Sequence, residues 1–212
     1  MEFLDPKLDK YVCDHTEAES PALESLNRKT HLKVLQPRML SGHFQGRVLS
    51  MLMHMIQPDR ILEIGTYTGY SALCMAEGLK DGGKLITVEA NEELEAIIQE
   101  SISSAGMAHK ITSIIGDATL EIPKLNETFD VVFIDADKKN YINYYNLVFP
   151  KVKIGGYIIA DNVLWSGKVI EEKSDKETDV IKAYNDLIHS DSRVAEVLLP
   201  IRDGLMIARK LK

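Results

Sequence analysis

Cysteine is scarce in this chain of 212 residues, with only Cys13 and Cys74 present. They lie far apart and form no Cys-x-x-Cys pair, which speaks against a disulfide framework or a zinc knuckle and favours a reducing, cytoplasmic setting. Long apolar runs are missing too, so no segment reads as a membrane span. The first twenty residues, MEFLDPKLDKYVCDHTEAES, are polar and acidic and lack the basic-then-apolar pattern of a secretory signal. Positive charge is in deficit: 25 Lys and Arg face 32 Asp and Glu, a formal net charge of −7. With no basic stripe, a general nucleic-acid binder is disfavoured, because phosphate neutralisation needs concentrated cations. There is no internal repeat, low-complexity tract or evident linker. The chain is therefore expected to form one domain over 1–212, large enough to bury roughly 70% of its unfolded surface.

What is present falls into two patterns. Residues 1 to about 57 read as helical, with an apolar helix from about Phe44 to Ile56 preceded by a Pro-Arg-Met-Leu-Ser-Gly loop. From residue 58 onward, short apolar runs alternate with amphipathic segments. The runs are RILEI (60–64), KLITVE (84–89), ITSII (111–115), DVVFID (130–135), GYIIAD (156–161), VAEVLLP (194–200) and GLMIARK (204–210). Strands buried on both faces and separated by helices predict an α/β fold with a mostly parallel sheet and helices on each side. The last two runs are joined by a short stretch containing RDG, a hairpin signal, so an antiparallel strand is expected at the end of the sheet.

In open α/β sheets, ligands bind beyond the carboxyl ends of the strands. The first strand runs into EIGTYTGYS, Glu63 to Ser71, where Gly65 and Gly69 have GxxxG spacing and not the GxGxxG of a pyrophosphate site. The glycine-rich turn implies that something approaches the main chain there. The second strand ends at Glu89, where a carboxylate can accept from ribose hydroxyls. After the third strand, GDATLE places Asp117 to read an adenine amino group or to cap a helix. The fourth run, in VVFIDADKKNYINYY, stops at Asp135-Ala136-Asp137 and two lysines; the fifth, in IIADNVLWSG, stops at Asp161-Asn162. Singly, each of these has an ordinary reading as a turn former or a solvated strand end.

RILEIGTYTGYSALCMAEGL, followed by GKLITVEA, resembles the first two motifs of the class I S-adenosylmethionine methyltransferases. VVFIDADKKNY with GGYIIADNVLWSGKV is more narrowly similar to the cation-dependent O-methyltransferases, the group of catechol and caffeoyl-CoA O-methyltransferases and their bacterial relatives. The similarity runs from about Ser20 to the final LPIRDGLMIARK. It implies a Rossmann-like fold with a seven-stranded, mostly parallel sheet and one antiparallel strand. Residues 1–57 would then form a substrate and dimer segment, and 58–212 a cofactor-binding core. The resemblance places Glu63, Gly65, Tyr67 and Ser71 at the methionine part of S-adenosylmethionine, Glu89 at the ribose, and Asp117 with Ala118 at the adenine; Asp135 borders the same cofactor.

Neighbouring parallel strands lie about 4.8 Å apart, so Asp135, Asp161 and Asn162 can converge on one ion. Two carboxylates and an amide oxygen form a hard donor set suited to Mg²⁺, with Mn²⁺ or Ca²⁺ as alternatives. Asp137 is better read as supporting the site or capping the next helix. A lysine amine is a poor base at neutral pH unless a nearby cation disfavours its ammonium form, and Lys138 is placed for that role. By the same resemblance, Met39, Leu40 and Ser41 belong to a loop over the metal. Trp165, three residues after Asn162 and just ahead of Ser-Gly-Lys, can cover a flat phenolic ring or serve as core, and Arg38 and Arg202 are the best positive charges near the expected mouth. The chain departs from catechol O-methyltransferases at Met206, where they carry an acid. It also lacks a plain basic cluster for coenzyme A phosphates. The expected acceptor is a catechol-type aromatic, free or as a hydroxycinnamoyl ester, and a homodimer is expected. The alternatives are a metal-independent small-molecule methyltransferase and a non-catalytic cofactor-binding module.

Overall fold

The computed structural model describes residues 5–212. The expected helical stretch from residue 1 therefore begins partly outside the described residues. It resolves into α1 (Pro6–Asp14), α2 (Pro21–Lys33), a short 3₁₀ turn (Pro37–Met39) and α3 (Gly42–Ile56). Pro21 starts α2 where a missing N–H is harmless, and Ser20 Oγ accepts from Leu23 N at 3.4 Å. α3 begins two residues earlier than its apolar periodicity indicates and stops at Gln57, which adopts a left-handed φ of 50°.

The remaining elements are β1 (Arg60–Ile64), α4 (Tyr70–Glu77), β2 (Lys84–Glu89), α5 (Glu95–Ser104), β3 (Ile111–Ile115), α6 (Ala118–Glu121), β4 (Phe129–Ile134), α7 (Tyr141–Val148), β5 (Val152–Ala160), α8 (Lys176–Ser190), β6 (Val194–Leu199) and β7 (Leu205–Lys210). The seven strands form one sheet in the order β3-β2-β1-β4-β5-β7-β6. β1 pairs with β4, β2 with β3 and β4 with β5, all in parallel; β7 runs antiparallel to both β5 and β6. The antiparallel strand is thus inserted between β5 and β6, and the edge belongs to β6. β5 is four residues longer at its start than GYIIAD indicates, because Val152 pairs with Phe129 before a register shift and regular pairing resumes at Tyr157 opposite Val131.

The described residues divide into two compact units, each with its own core. In the first, made of Ile61–Gly65 and Ala118–Lys212, the interior holds Ile61, Val132, Phe133, Tyr141, Tyr145, Ile159 and Tyr184. Tyr141 and Tyr184 meet edge-on with ring centroids 5.4 Å apart, a favoured aromatic geometry. In the second, residues 5–60 and Thr66–Asp117, the interior holds Leu23, Leu49, Met53, Tyr70, Cys74 and Ile98. There Arg47 of α3 is 8% exposed and is paired with Glu77 of α4 at 2.9 Å, so its charge is compensated. Burial pushes the Cys74 thiol up to about 12. Among the described residues no helix is long and apolar enough to cross a membrane.

Candidate active site

The ends of β4 and β5 lie side by side, with Ile134 opposite Ala160 in register. The next residues on the two strands, Asp135 and Asp161, therefore leave neighbouring strand ends together. Asp161 is 2% exposed, and its Oδ1 accepts from the backbone N–H of Asn162 at 2.7 Å. That contact holds Asn162 at a left-handed φ of 59°, a conformation asparagine tolerates better than most residues.

Lys138 reaches into this corner from the 3₁₀ turn Lys138–Asn140. Its Nζ donates to Asn162 Oδ1 at 2.7 Å, to Asp135 Oδ1 at 3.3 Å and to Tyr141 Oη at 2.6 Å. The ammonium is a cation seated on two of the three expected metal-ligand side chains, so their oxygens already face one positive charge. Among the described residues no group of three His, Cys, Asp or Glu side chains is placed to hold a metal. The side chains of Asp135, Asp161 and Asn162 offer two carboxylates and an amide oxygen, a hard donor set of the kind a magnesium-like ion takes. Tyr141 was not singled out from the sequence. It is fully buried, and burial together with the nearby Asp135 and Asp161 carboxylates pushes its phenol well above the ordinary tyrosine range. It stays protonated.

Asp137 occupies the N-cap position of the 3₁₀ turn but makes no capping bond with its side chain. Its carboxylate accepts from Tyr144 Oη at 2.5 Å and Asn140 Nδ2 at 2.8 Å, so the expectation of a helix cap is corrected: it ties the turn to α7. Trp165 and Ser166 follow β5 with positive φ of 47° and 55°, in a 3₁₀ stretch outside any strand. The stretch is held by the turn ahead of β7: Ser166 N donates to Asp203 Oδ1 at 2.5 Å, and Leu164 N to the Asp203 carbonyl at 2.8 Å. Burial pushes the Asp203 carboxyl up despite that bond. The Trp165 indole N–H is enclosed with no acceptor, and Lys138 Nζ lies 5.9 Å from its ring. Met206 is buried in β7 opposite Ala160.

Gly65 follows β1 directly. At φ 97°, a Cβ there would stand 2.0 Å from the Asp135 carbonyl oxygen. What approaches this main chain is the end of β4, and the glycine lets β1 and β4 come together at the first metal-ligand candidate. Glu63 lies wholly inside the sheet, opposite Phe133. Ala118 is also buried, at the start of α6.

In the other unit, Glu89 at the end of β2 accepts from Tyr67 N at 2.7 Å and Asn91 N at 2.9 Å. Two main-chain donors thus fix the carboxylate and leave it lone pairs for hydroxyl groups. Tyr67 has φ 52° and donates its hydroxyl to the Gln36 carbonyl at 2.9 Å. Beneath it, Thr66 and Thr87 hydroxyls meet at 2.5 Å. Ser71 is buried in the first turn of α4, and Asp117 is exposed just ahead of α6. Arg38 and Met39 are exposed, whereas Leu40 and Ser41 are buried.

Residues 13–211 match a family model described as O-methyltransferase. A caffeoyl-CoA O-methyltransferase of Petroselinum crispum is 38% identical over 186 residues, covering 82% of this chain and 77% of that protein. A Nicotiana tabacum caffeoyl-CoA O-methyltransferase is 36% identical over the same length, with 82% and 78% covered. Among solved structures, the O-methyltransferase of Bacillus cereus in complex with SAH has a TM-score of 0.89 and 30% identity, with 97% of both chains covered. The Streptomyces achromogenes enzyme TomG, in complex with SAM, has a TM-score of 0.90 and 25% identity, with 97% of this chain and 96% of that one covered. The expected Rossmann-like methyltransferase fold is therefore borne out, and the chain belongs to the O-methyltransferase family.

Proposed function

We propose that this O-methyltransferase transfers the methyl group of S-adenosylmethionine to one hydroxyl of a catechol-type aromatic, with a divalent cation held by Asp135, Asp161 and Asn162. The observation that carries the reading is the convergence of Lys138 Nζ, Asp135 Oδ1 and Asn162 Oδ1 at the ends of β4 and β5. A bound cation, Mg²⁺ before Mn²⁺ or Ca²⁺, would supply charge that favours the deprotonated form of a hydroxyl beside it. Lys138 takes the hydroxyl proton. The acceptor oxygen then forms its bond to the methyl carbon as the carbon–sulfur bond of the donor breaks, a displacement that gains mostly from alignment. Glu89 holds the donor's ribose, with Asp117 and Ala118 at its adenine; Glu63, Gly65, Tyr67, Ser71 and Asp135 border the rest. Trp165, Met39, Ser41 and Arg38 line the acceptor side. Residues 1–212 act as one methyltransferase domain in the cytoplasm, with 1–57 as its substrate and dimer segment and 58–212 as its cofactor-binding core.

The acceptor class follows the relatives named caffeoyl-CoA O-methyltransferase, so a hydroxycinnamoyl-type catechol is the first choice. α3 presents Met51 and Met55, one turn apart and 61% and 74% exposed, and a second copy of the chain is the proposed cover. Sedimentation that finds only the 23.8 kDa species would remove the dimer.

Methyl transfer is to be measured on caffeic acid and caffeoyl-CoA with Mg²⁺, with EDTA, and in Lys138→Ala and Asp161→Ala. Turnover that needs the metal and both side chains supports the reading. Turnover indifferent to EDTA would instead indicate a metal-independent methyltransferase, and donor binding without turnover a non-catalytic module.

A further inference from the structure

Lys138 Nζ has three acceptors, and they differ in kind. Asn162 Oδ1 and Asp135 Oδ1 belong to the side chains assigned above to the cation, at 2.7 Å and 3.3 Å. The third, Tyr141 Oη at 2.6 Å, does not. Tyr141 is fully buried and packed edge-on against Tyr184, so its ring has no room to swing. A phenol carries one proton. The Asp161 carbonyl takes it at 2.9 Å, with the Ile134 carbonyl farther off at 3.5 Å. The oxygen's remaining lone-pair density therefore faces Nζ. Oxygens committed to a divalent ion are poor partners for an ammonium beside that ion, whereas the tyrosine oxygen stays available.

We propose that Tyr141 is a positioning residue, whose hydroxyl keeps the Lys138 amine aimed into the site once Asp135 and Asn162 are committed to the cation. The inference rests on the role given to Lys138 above. Lys138 to Tyr141 is an i, i+3 pair, and the main chain between them runs from the 3₁₀ turn directly into α7, so lysine and acceptor move as one piece.

The test uses four proteins stripped of metal: wild type, Tyr141→Phe, Lys138→Met and the double variant. Mn²⁺ binding is followed by electron paramagnetic resonance, and turnover by methyl transfer to caffeoyl-CoA. Tyr141→Phe keeps the ring and removes the acceptor. It should bind Mn²⁺ about tenfold more weakly, equivalent to about 1.4 kcal/mol, because ion entry then leaves the part-buried Lys138 Nζ with no acceptor. Its kcat should fall about tenfold with KM within twofold. The double variant should bind Mn²⁺ as Lys138→Met does, since no amine is left to strand.

A Mn²⁺ defect that persists unchanged in the double variant would mark Tyr141 as a packing residue and overturn the proposal. Wild-type affinity and kcat in Tyr141→Phe would do the same. Full turnover by Lys138→Met would sink the base assignment first, and the inference with it. An absence of Mn²⁺ binding by wild type would remove the cation and both ideas together.

Discussion

Replacing Gly65 by alanine should separate two effects that usually arrive together. The first is conformational: at φ 97° a side chain is placed where L-residues are disfavoured, at a cost of about 1–2 kcal/mol. The second is steric. The new Cβ would lie 2.0 Å from the Asp135 carbonyl oxygen and 2.6 Å from its carbon, against a comfortable carbon–oxygen separation of about 3.3 Å or more. The obstacle is backbone, so β4 must retreat by about 1 Å, and overpacking of this kind costs a further 1–3 kcal/mol or so. A total of about 3 kcal/mol corresponds to a fall in Tm of about 6–12 °C for a chain of this size. Gly82 is the control: its φ is 76° and a Cβ there meets nothing within 4 Å, so Gly82→Ala should lose only the conformational part. Displacing Asp135 by about 1 Å should also cut methyl transfer by about a hundredfold in the Gly65 variant alone. Thermal unfolding and turnover of the two variants, side by side, give the answer. Equal Tm losses with equal turnover would refute the claim that Gly65 exists to admit the Asp135 carbonyl.

Three further outcomes are expected. Glu89→Ala frees the Tyr67 and Asn91 amides and removes the proposed ribose acceptor, so titration calorimetry should show S-adenosylmethionine binding weakened about ten- to a hundredfold, the loss of about 1.5–3 kcal/mol. Of the two free thiols, only Cys13 should react with a disulfide reagent in the folded protein at pH 8; Cys74 is wholly buried and its thiol is pushed up to about 12, so it should appear only on unfolding. The Arg193 guanidinium, the Arg193 amide and the Tyr145 hydroxyl hold the Asp191 carboxyl well below the usual range. Its stabilisation is complete above the unfolded value of about 3.9 and is lost as pH falls toward the folded one. Asp191→Asn should therefore destabilise the protein at neutral pH by about 2 kcal/mol. The difference from wild type should shrink in urea melts taken toward pH 2.

The strand ends were the most legible part of the molecule. β1, β2 and β3 coincide with RILEI, KLITVE and ITSII. β1 is buried over four of its five residues, and a strand of that kind writes a continuous apolar run, whereas β3 is buried only at Ile111 and was marked by its β-branched residues. The step from apolar run to polar residues marks Asp135, Lys138, Asp161 and Asn162. The position of β7 was not legible: a hairpin signal says that two strands pair, and either partner can then take the place beside β5. Tyr141 escaped notice because a tyrosine in an apolar helical pattern looks like core; the i, i+3 spacing from Lys138 was the available signal. The clasp of Asp203 on Ser166 joins residues 37 apart, a separation over which no local pattern reports.

The insertion of β7 between β5 and β6 also sets the order in which the protein can be completed during synthesis. β5 ends at Ala160 and β7 starts at Leu205, so at roughly 5–20 residues per second the ribosome needs several seconds to deliver the missing neighbour. Until then the outer edge of β5 is an open template for any other extended chain, and the loop carrying Asn162 and Trp165 has no Asp203 to close on it. The charged stretch VIEEKSDKETD, which the chain places in that interval, is well suited to keep the waiting edge from sticking. Nascent chains halted before residue 205 should therefore depend on holding chaperones, and the site should form only with the last strand.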